Sequence, residues 1–285
     1  MSAIVNTEPT PDPQTGTETR FKFGNNWSRF LQVLDEERIA QAERSLSEML
    51  GLSSLAGKTF LDIGSGSGLF SLAARRLGAR VHSFDYDAQS VACTAELRRR
   101  FFDGDADWKV EQGSALSKDY LSALGQFDIV YSWGVLHHTG QMWPALENAA
   151  LPVKHGGLLF IAIYNDQGWK STVWTAIKFL YNKLPFGLKY LISVPYFLGL
   201  YGCILIRDTV KGDPIRTWKI YRTRRGMSPW YDVVDWVGGY PFEVASVPML
   251  TQFYTSRGFE TIRIVDVAPR LGCNELVFRK DQQEA

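Results

Sequence analysis

Cysteine is scarce: three residues in 285, at positions 93, 203 and 273. An odd number at wide spacing excludes a disulfide framework and a C-x-x-C metal pair. It points to a reducing compartment, read here as the cytoplasm. Histidine is also rare. The four residues, His82, His137, His138 and His155, have no carboxylate partner at ligand spacing, so no metal is expected. Charge is balanced, with 31 Lys+Arg against 30 Asp+Glu for a net +1. That argues against a broad nucleic-acid footprint. The first 19 residues lack both an apolar core and early basic residues, so they do not read as a secretory signal. Rich in Thr, Pro, Glu and Asp, residues 1–20 read as a disordered tail. There is no internal repeat.

What is present is a glycine-rich turn. Phe60-Leu61-Asp62-Ile63 reads as the end of a buried strand, and Leu69 to Leu77 as the helix after it. Gly64, Gly66 and Gly68 lie between them at alternate positions, with Ser65 inside. Glycine tolerates positive φ and lets a ligand approach the backbone. A turn of this kind aims N–H groups into a crevice. A dinucleotide turn reads G-x-G-x-x-G; here the spacing is G-x-G-x-G, preceded by Asp62. An acid there suits a ligand with a cationic amino group, such as S-adenosylmethionine (SAM).

Three more segments follow in order. Val81-His82-Ser83-Phe84-Asp85 reads as a second strand ending in an acid, at the offset usual for a ribose-binding carboxylate. Residues 108–116 read as a third strand and its loop. Phe127-Asp128-Ile129-Val130 opens a fourth, which runs through Trp133-Gly134 to Leu136-His137-His138-Thr139. With these segments the chain resembles the class I SAM-dependent methyltransferases, whose first motif is an acid followed by G-x-G-x-G and whose fourth strand carries F-D-x-V and L-H-H. The resemblance implies an α/β fold: a doubly wound, Rossmann-like sheet of seven strands, the last antiparallel, with a mostly helical cap inserted before the final hairpin. It implies SAM as cofactor. It places Asp62 at the methionine amino group or, structurally, at the turn. It places Gly64, Ser65, Gly66 and Gly68 beneath the cofactor, Asp85 on the ribose hydroxyls, Tyr86 and Ser114-Ala115 near adenine, and Trp133 by the sulfonium. Ser114 stands where many members carry an acid.

The chain divides on this reading into the tail, an aromatic and helical segment at 21–57, the SAM-binding core at 58–164, the insertion at 165–248, and a helix with a β-hairpin at 249–285. The alternation of strand and helix supports the core, and its loss after Tyr164 marks the insertion. His137 and His138 are candidate general bases, since neutral imidazole accepts a proton near pH 7. Asp232 and Asp235, a helical turn apart, are candidates to orient a histidine or an amine. The aromatic, Gly- and Pro-punctuated run at 221–243 reads as the acceptor pocket and its lid. Tyr164, Trp230, Tyr231 and Tyr240 are its candidate lining, and Arg222 and Arg225 could hold an anionic group.

The expected activity is O- or N-methylation of a small molecule. Two alternatives stand: consumption of SAM without methyl transfer, such as its cyclisation, and methylation of RNA or protein, which Arg98-Arg99-Arg100 and the Arg222–Arg225 cluster keep open. Leu191–Ile206 is almost wholly apolar but interrupted by Pro195, Gly199 and Gly202, and shorter than the ~20 residues of a span. It reads as a buried or dimer-forming helix, with peripheral membrane contact as the alternative.

Overall fold

The computed structural model describes residue 31, residues 34–217 and residues 229–282. The expected tail, the aromatic leader through Phe30, and Arg222 and Arg225 lie outside the described residues. Helix α1 (Glu36–Leu50) leads into β1 (Thr59–Ile63), α2 (Leu69–Arg76), β2 (Arg80–Asp85), α3 (Ala88–Phe101), β3 (Trp108–Gln112), α4 (Lys118–Ala123) and β4 (Phe127–Trp133). A 3-10 turn at Leu136–His138 precedes α5 (Met142–Ala150) and β5 (Val153–Tyr164).

The sheet has seven strands in the order β3-β2-β1-β4-β5-β7-β6, where β6 is Phe259–Val265 and β7 is Cys273–Lys280. The first five are parallel, and β7 pairs antiparallel with both β5 and β6. The strand order reverses between β1 and β4, which opens a crevice at their carboxyl ends.

Strand alternation explains the two layers. Phe60, Ile129, Tyr131 and Phe160 pack under α1, α2 and α3, while Leu61, Ile63, Val130 and Ile161 pack under α4, α5 and α9 (Val247–Thr255). Residues that alternate along a strand point to opposite faces, so a sheet covered on both sides needs near-continuous apolar runs. Asp62 shares the side of Phe60 and therefore faces α2.

Between β5 and α9 lies the cap: α6 (Trp169–Lys183), a 3-10 turn at Phe186–Lys189, α7 (Tyr190–Val210) and α8 (Pro229–Gly238). It has a small core of its own around Tyr181, Tyr201, Val233 and Val237. Of the expectation of a buried or dimer-forming helix at 191–206, shorter than a span, the length and the burial are corrected. Pro195, Gly199 and Gly202 do not end it, so α7 runs 21 residues, and most of its apolar side chains are exposed.

Candidate functional site

The glycine turn hangs from β1 above β2. The Gly64 and Ser65 N–H groups donate to the Phe84 carbonyl, and Gly66 N–H donates to Asp85 Oδ2 at 2.9 Å. Gly64, Gly66 and Gly68 all have positive φ. At Gly64 a Cβ would meet the Val135 side chain at 2.4 Å, and at Gly68 it would meet the Thr94 backbone at 2.9 Å. The close approach that these two glycines permit is thus between parts of the protein. Ser65 Oγ bonds Thr94 Oγ1 at 2.8 Å, which commits that side chain to the join with α3.

Asp62 lies buried beneath the turn. The indole N–H of Trp108 donates to Ser83 Oγ, and an indole has only a donor. Ser71 gives its one proton to Asp62 Oδ2, so Ser83 donates to Ser71, at 2.7 Å. No cation pairs with this carboxylate among the described residues. Burial pushes its pKa up to about 7, the Ser71 hydroxyl opposes the shift, and the Asp85 charge adds to it. A buried acid that ends a chain of three donors and lacks a cation fits a site for a positively charged ligand.

Asp85, at the end of β2, also accepts from Asp87 N–H at 2.9 Å, and the Asp87 side chain caps α3 through Gln89 N–H. A carboxylate at the end of the second strand, beside the glycine turn, is the type of group that accepts from ribose hydroxyls. Tyr86 is exposed next to it. Ser114 accepts from Leu116 N–H within its own turn, and the Ala115 carbonyl accepts from Asn148, so both carry local structural bonds. Trp133 stands at the mouth of the crevice with its indole N–H on Glu275. Gly134 follows at positive φ, and a Cβ there would meet nothing within 4 Å, so the chain leaves room at the end of β4. This combination of crevice, cation-lacking acid, ribose acceptor and open glycine fits SAM.

The histidines lie one turn further. Val135, which touches Gly64, leads directly into them. His137 is fully buried and its ring packs on Tyr164 at 4.1 Å. Tyr164 N–H donates to His137 Nδ1 at 3.3 Å, so Nδ1 carries the lone pair and Nε2 the proton. That Nε2 is buried without a partner among the described residues. Burial, and then the nearby His138 and Lys178, hold His137 well below the usual histidine pKa. His138 has the opposite arrangement. Its Nδ1 lies 2.6 Å from the Pro241 carbonyl, an acceptor only, so Nδ1 carries the proton and Nε2 the lone pair. Glu243 fixes this strap by receiving Met142 N–H at the start of α5, while its own N–H donates to the His137 carbonyl.

The cap covers this pair with aromatics. Trp236 meets Tyr164 edge-on at 5.4 Å, and Phe242 lies 5.3 Å from Tyr164. Trp230, a candidate lining residue, packs on Tyr190 and Phe197 of α7, and it is Trp236 of the same run that stands beside Tyr164. Tyr240 packs edge-on against Phe179 and lines a groove of about 630 Å³ with Asp166, Ser171 and Thr175. The side chains of Tyr231 and Asp232 lie outside the described residues. Sequence reasoning missed Lys178. It is fully buried, donates to the Trp236 carbonyl, and sits over the Trp236 and Phe242 rings at 4.1 and 4.6 Å. Burial lowers its pKa to about 7, against the opposing charge of Asp235.

A methyltransferase-domain family matches residues 61–159, the stretch from the glycine turn through β5. Over that stretch, about a third of the chain, the protein is similar to SAM-dependent methyltransferase domains. It is 30% identical over 143 residues to a ubiquinone biosynthesis O-methyltransferase of Parvibaculum lavamentivorans, a match covering 48% of this chain and 54% of that protein. The chain thus spans about half the length of the curated relatives it matches. In fold it is similar to magnesium protoporphyrin IX methyltransferase from Synechocystis PCC 6803 with bound SAH. That likeness has a TM-score of 0.52 at 13% identity and covers 90% of this chain and 95% of that one. It is also similar to the [4+2]-cyclase SpnF, with a TM-score of 0.51 at 14% identity, covering 85% and 81%. The described cap lies beyond the matched stretch, whereas His137 and His138 lie inside it.

Proposed function

We propose that the protein transfers the methyl group of SAM to a small-molecule acceptor, at an oxygen in the first instance. The observation that carries this reading is the pair of buried histidines with opposite proton placement, joined to the glycine turn through Val135 and covered by the cap. Bound SAM supplies an already activated methyl sulfonium, so alignment provides much of the rate. His138, held at Nδ1 by the Pro241 carbonyl, is the base that takes the acceptor's proton. His137 presents Nε2–H as a donor and orients the acceptor atom. Tyr164, Trp236 and Phe242 exclude water. Lys178, with Asp235 beside it, supplies a cation for an acidic acceptor. The O-methyltransferase relatives support oxygen over nitrogen.

A second reading, SAM consumption without transfer, stands because a cofactor-binding fold alone does not fix chemistry. Product analysis separates the two. The enzyme is incubated with methyl-deuterated SAM and an unfractionated cell extract, and small molecules are then separated from macromolecules. S-adenosylhomocysteine together with a deuterated acceptor is expected. Methylthioadenosine would instead support cyclisation, and macromolecular label alone would overturn the small-molecule assignment.

A further inference from the structure

Helix α7 is apolar on both sides. Its inner side buries Ser193, Tyr201 and Asp208 and packs on α8, with Tyr196 reaching Trp174 of α6. At about 100° per residue, Leu191, Val194, Leu198, Leu205 and Ile206 fall within one outward stripe roughly 120° wide. Leu191, Leu198 and Ile206 are 69%, 62% and 67% exposed, and Phe186, just before the helix, is 79% exposed. By length and composition Phe186–Val210 could cross a membrane. A helix that is apolar all round is either buried or in contact with lipid.

The charge pattern chooses between occupants. From residue 167 to residue 207 there are five basic residues, Lys170, Lys178, Lys183, Lys189 and Arg207, and no Asp or Glu, in a chain whose charges otherwise balance. A twofold dimer through this face would bring the same basic segment of both copies together, with no Asp or Glu between residues 167 and 207 to pair with its lysines. An anionic lipid surface supplies that counter-charge. A spanning helix would have to strip α7 from α6 and α8 and expose Asp208, which accepts from Thr217 N–H and pairs with Arg207.

We propose that this face of the cap docks onto an anionic lipid surface, lying in its plane. The exposed stripe of α7 and Phe186 enter the acyl boundary, and Lys183 and Lys189 stay among the headgroups. The proposal stands on the cap alone and is independent of the reaction catalysed.

The full-length protein is floated with phosphatidylcholine vesicles, with and without roughly one-third phosphatidylglycerol. Co-flotation is expected with the anionic vesicles and should weaken at high salt. Lys183→Gln and Lys189→Gln should each lower partitioning about fivefold. The double variant Leu191→Ser/Leu198→Ser should lower it at least about tenfold at any salt. Thermal melts confirm that each variant folds. Four results would overturn the proposal: no flotation of the folded protein, unchanged flotation of the leucine variant, a vesicle-free dimer that this variant dissociates, or resistance to alkaline carbonate extraction.

Discussion

The cation-lacking carboxylate of Asp62 makes SAM affinity depend on pH. Its pKa stands at about 7 because burial penalises the charge. A ligand cation about 6 Å away, at an effective dielectric near 20, favours the carboxylate by about 3 kcal/mol, or about two pKa units. Binding then lowers the pKa from about 7 to about 5. Within that window each binding event releases a proton, so affinity rises with pH and flattens above 7. From pH 5.5 to 7.5 SAM should bind about 20-fold tighter; above that the ligand's own amino group begins to lose its proton. Calorimetry in two buffers of different ionisation heat should show nearly one proton released at pH 6. Asp62→Asn keeps an acceptor for Ser71 and removes the charge, so its affinity should be flat across the range and up to about 100-fold weaker at pH 7.5. Wild-type affinity that is constant from pH 5.5 to 7.5, with no proton release, would refute the assignment of Asp62 to the cofactor's charge.

Lys178→Met should stabilise the protein below pH 7. The unfolded lysine keeps its proton up to about 10.5 and the folded one only to about 7, so the folded state is penalised fully below pH 7 and the penalty fades as pH rises to 10.5. That depression corresponds to as much as about 5 kcal/mol below pH 7. Urea melts at pH 6 should therefore show a gain of a few kcal/mol that fades toward pH 10, and equal stability at both pH values would contradict the burial. His138→Ala should cut turnover by about 10²–10⁴ with SAM affinity within a few fold, while His137→Ala, losing one donor, should cost about 10–100-fold; steady-state kinetics showing the reverse order would exchange their roles. Gly64→Ala should destabilise by about 2–3 kcal/mol through positive φ and the clash with Val135, and chemical denaturation should show part of this recovered by Val135→Ala; no recovery would leave φ as the sole cause.

The parallel core is legible in the sequence because central strands are covered on both faces and so must be apolar throughout. The motif acids sit at strand ends, where local sequence fixes them. The acceptor side is harder to read because its contacts are tertiary. Lys178 looks like any lysine on an amphipathic helix until Trp236 and Phe242, some sixty residues later, enclose it. The roles of the two histidines depend on Tyr164 and Pro241, which no spacing rule links to them. Trp236 rather than Trp230 stands beside Tyr164 because the phase of α8 is set by packing on α7. The exposure of α7 is invisible for the same reason: an apolar run tells what a helix avoids, and only the fold tells which side has been covered.

The most direct measurement is a crystal structure of the protein with S-adenosylhomocysteine. Asp85 should lie about 2.6–3.0 Å from both ribose hydroxyls, the aminobutyryl group over the turn above Asp62, and the sulfur should face the Gly134 opening on the side of His138 Nε2. A ribose away from Asp85, or a sulfur turned away from the histidine pair, would contradict the account.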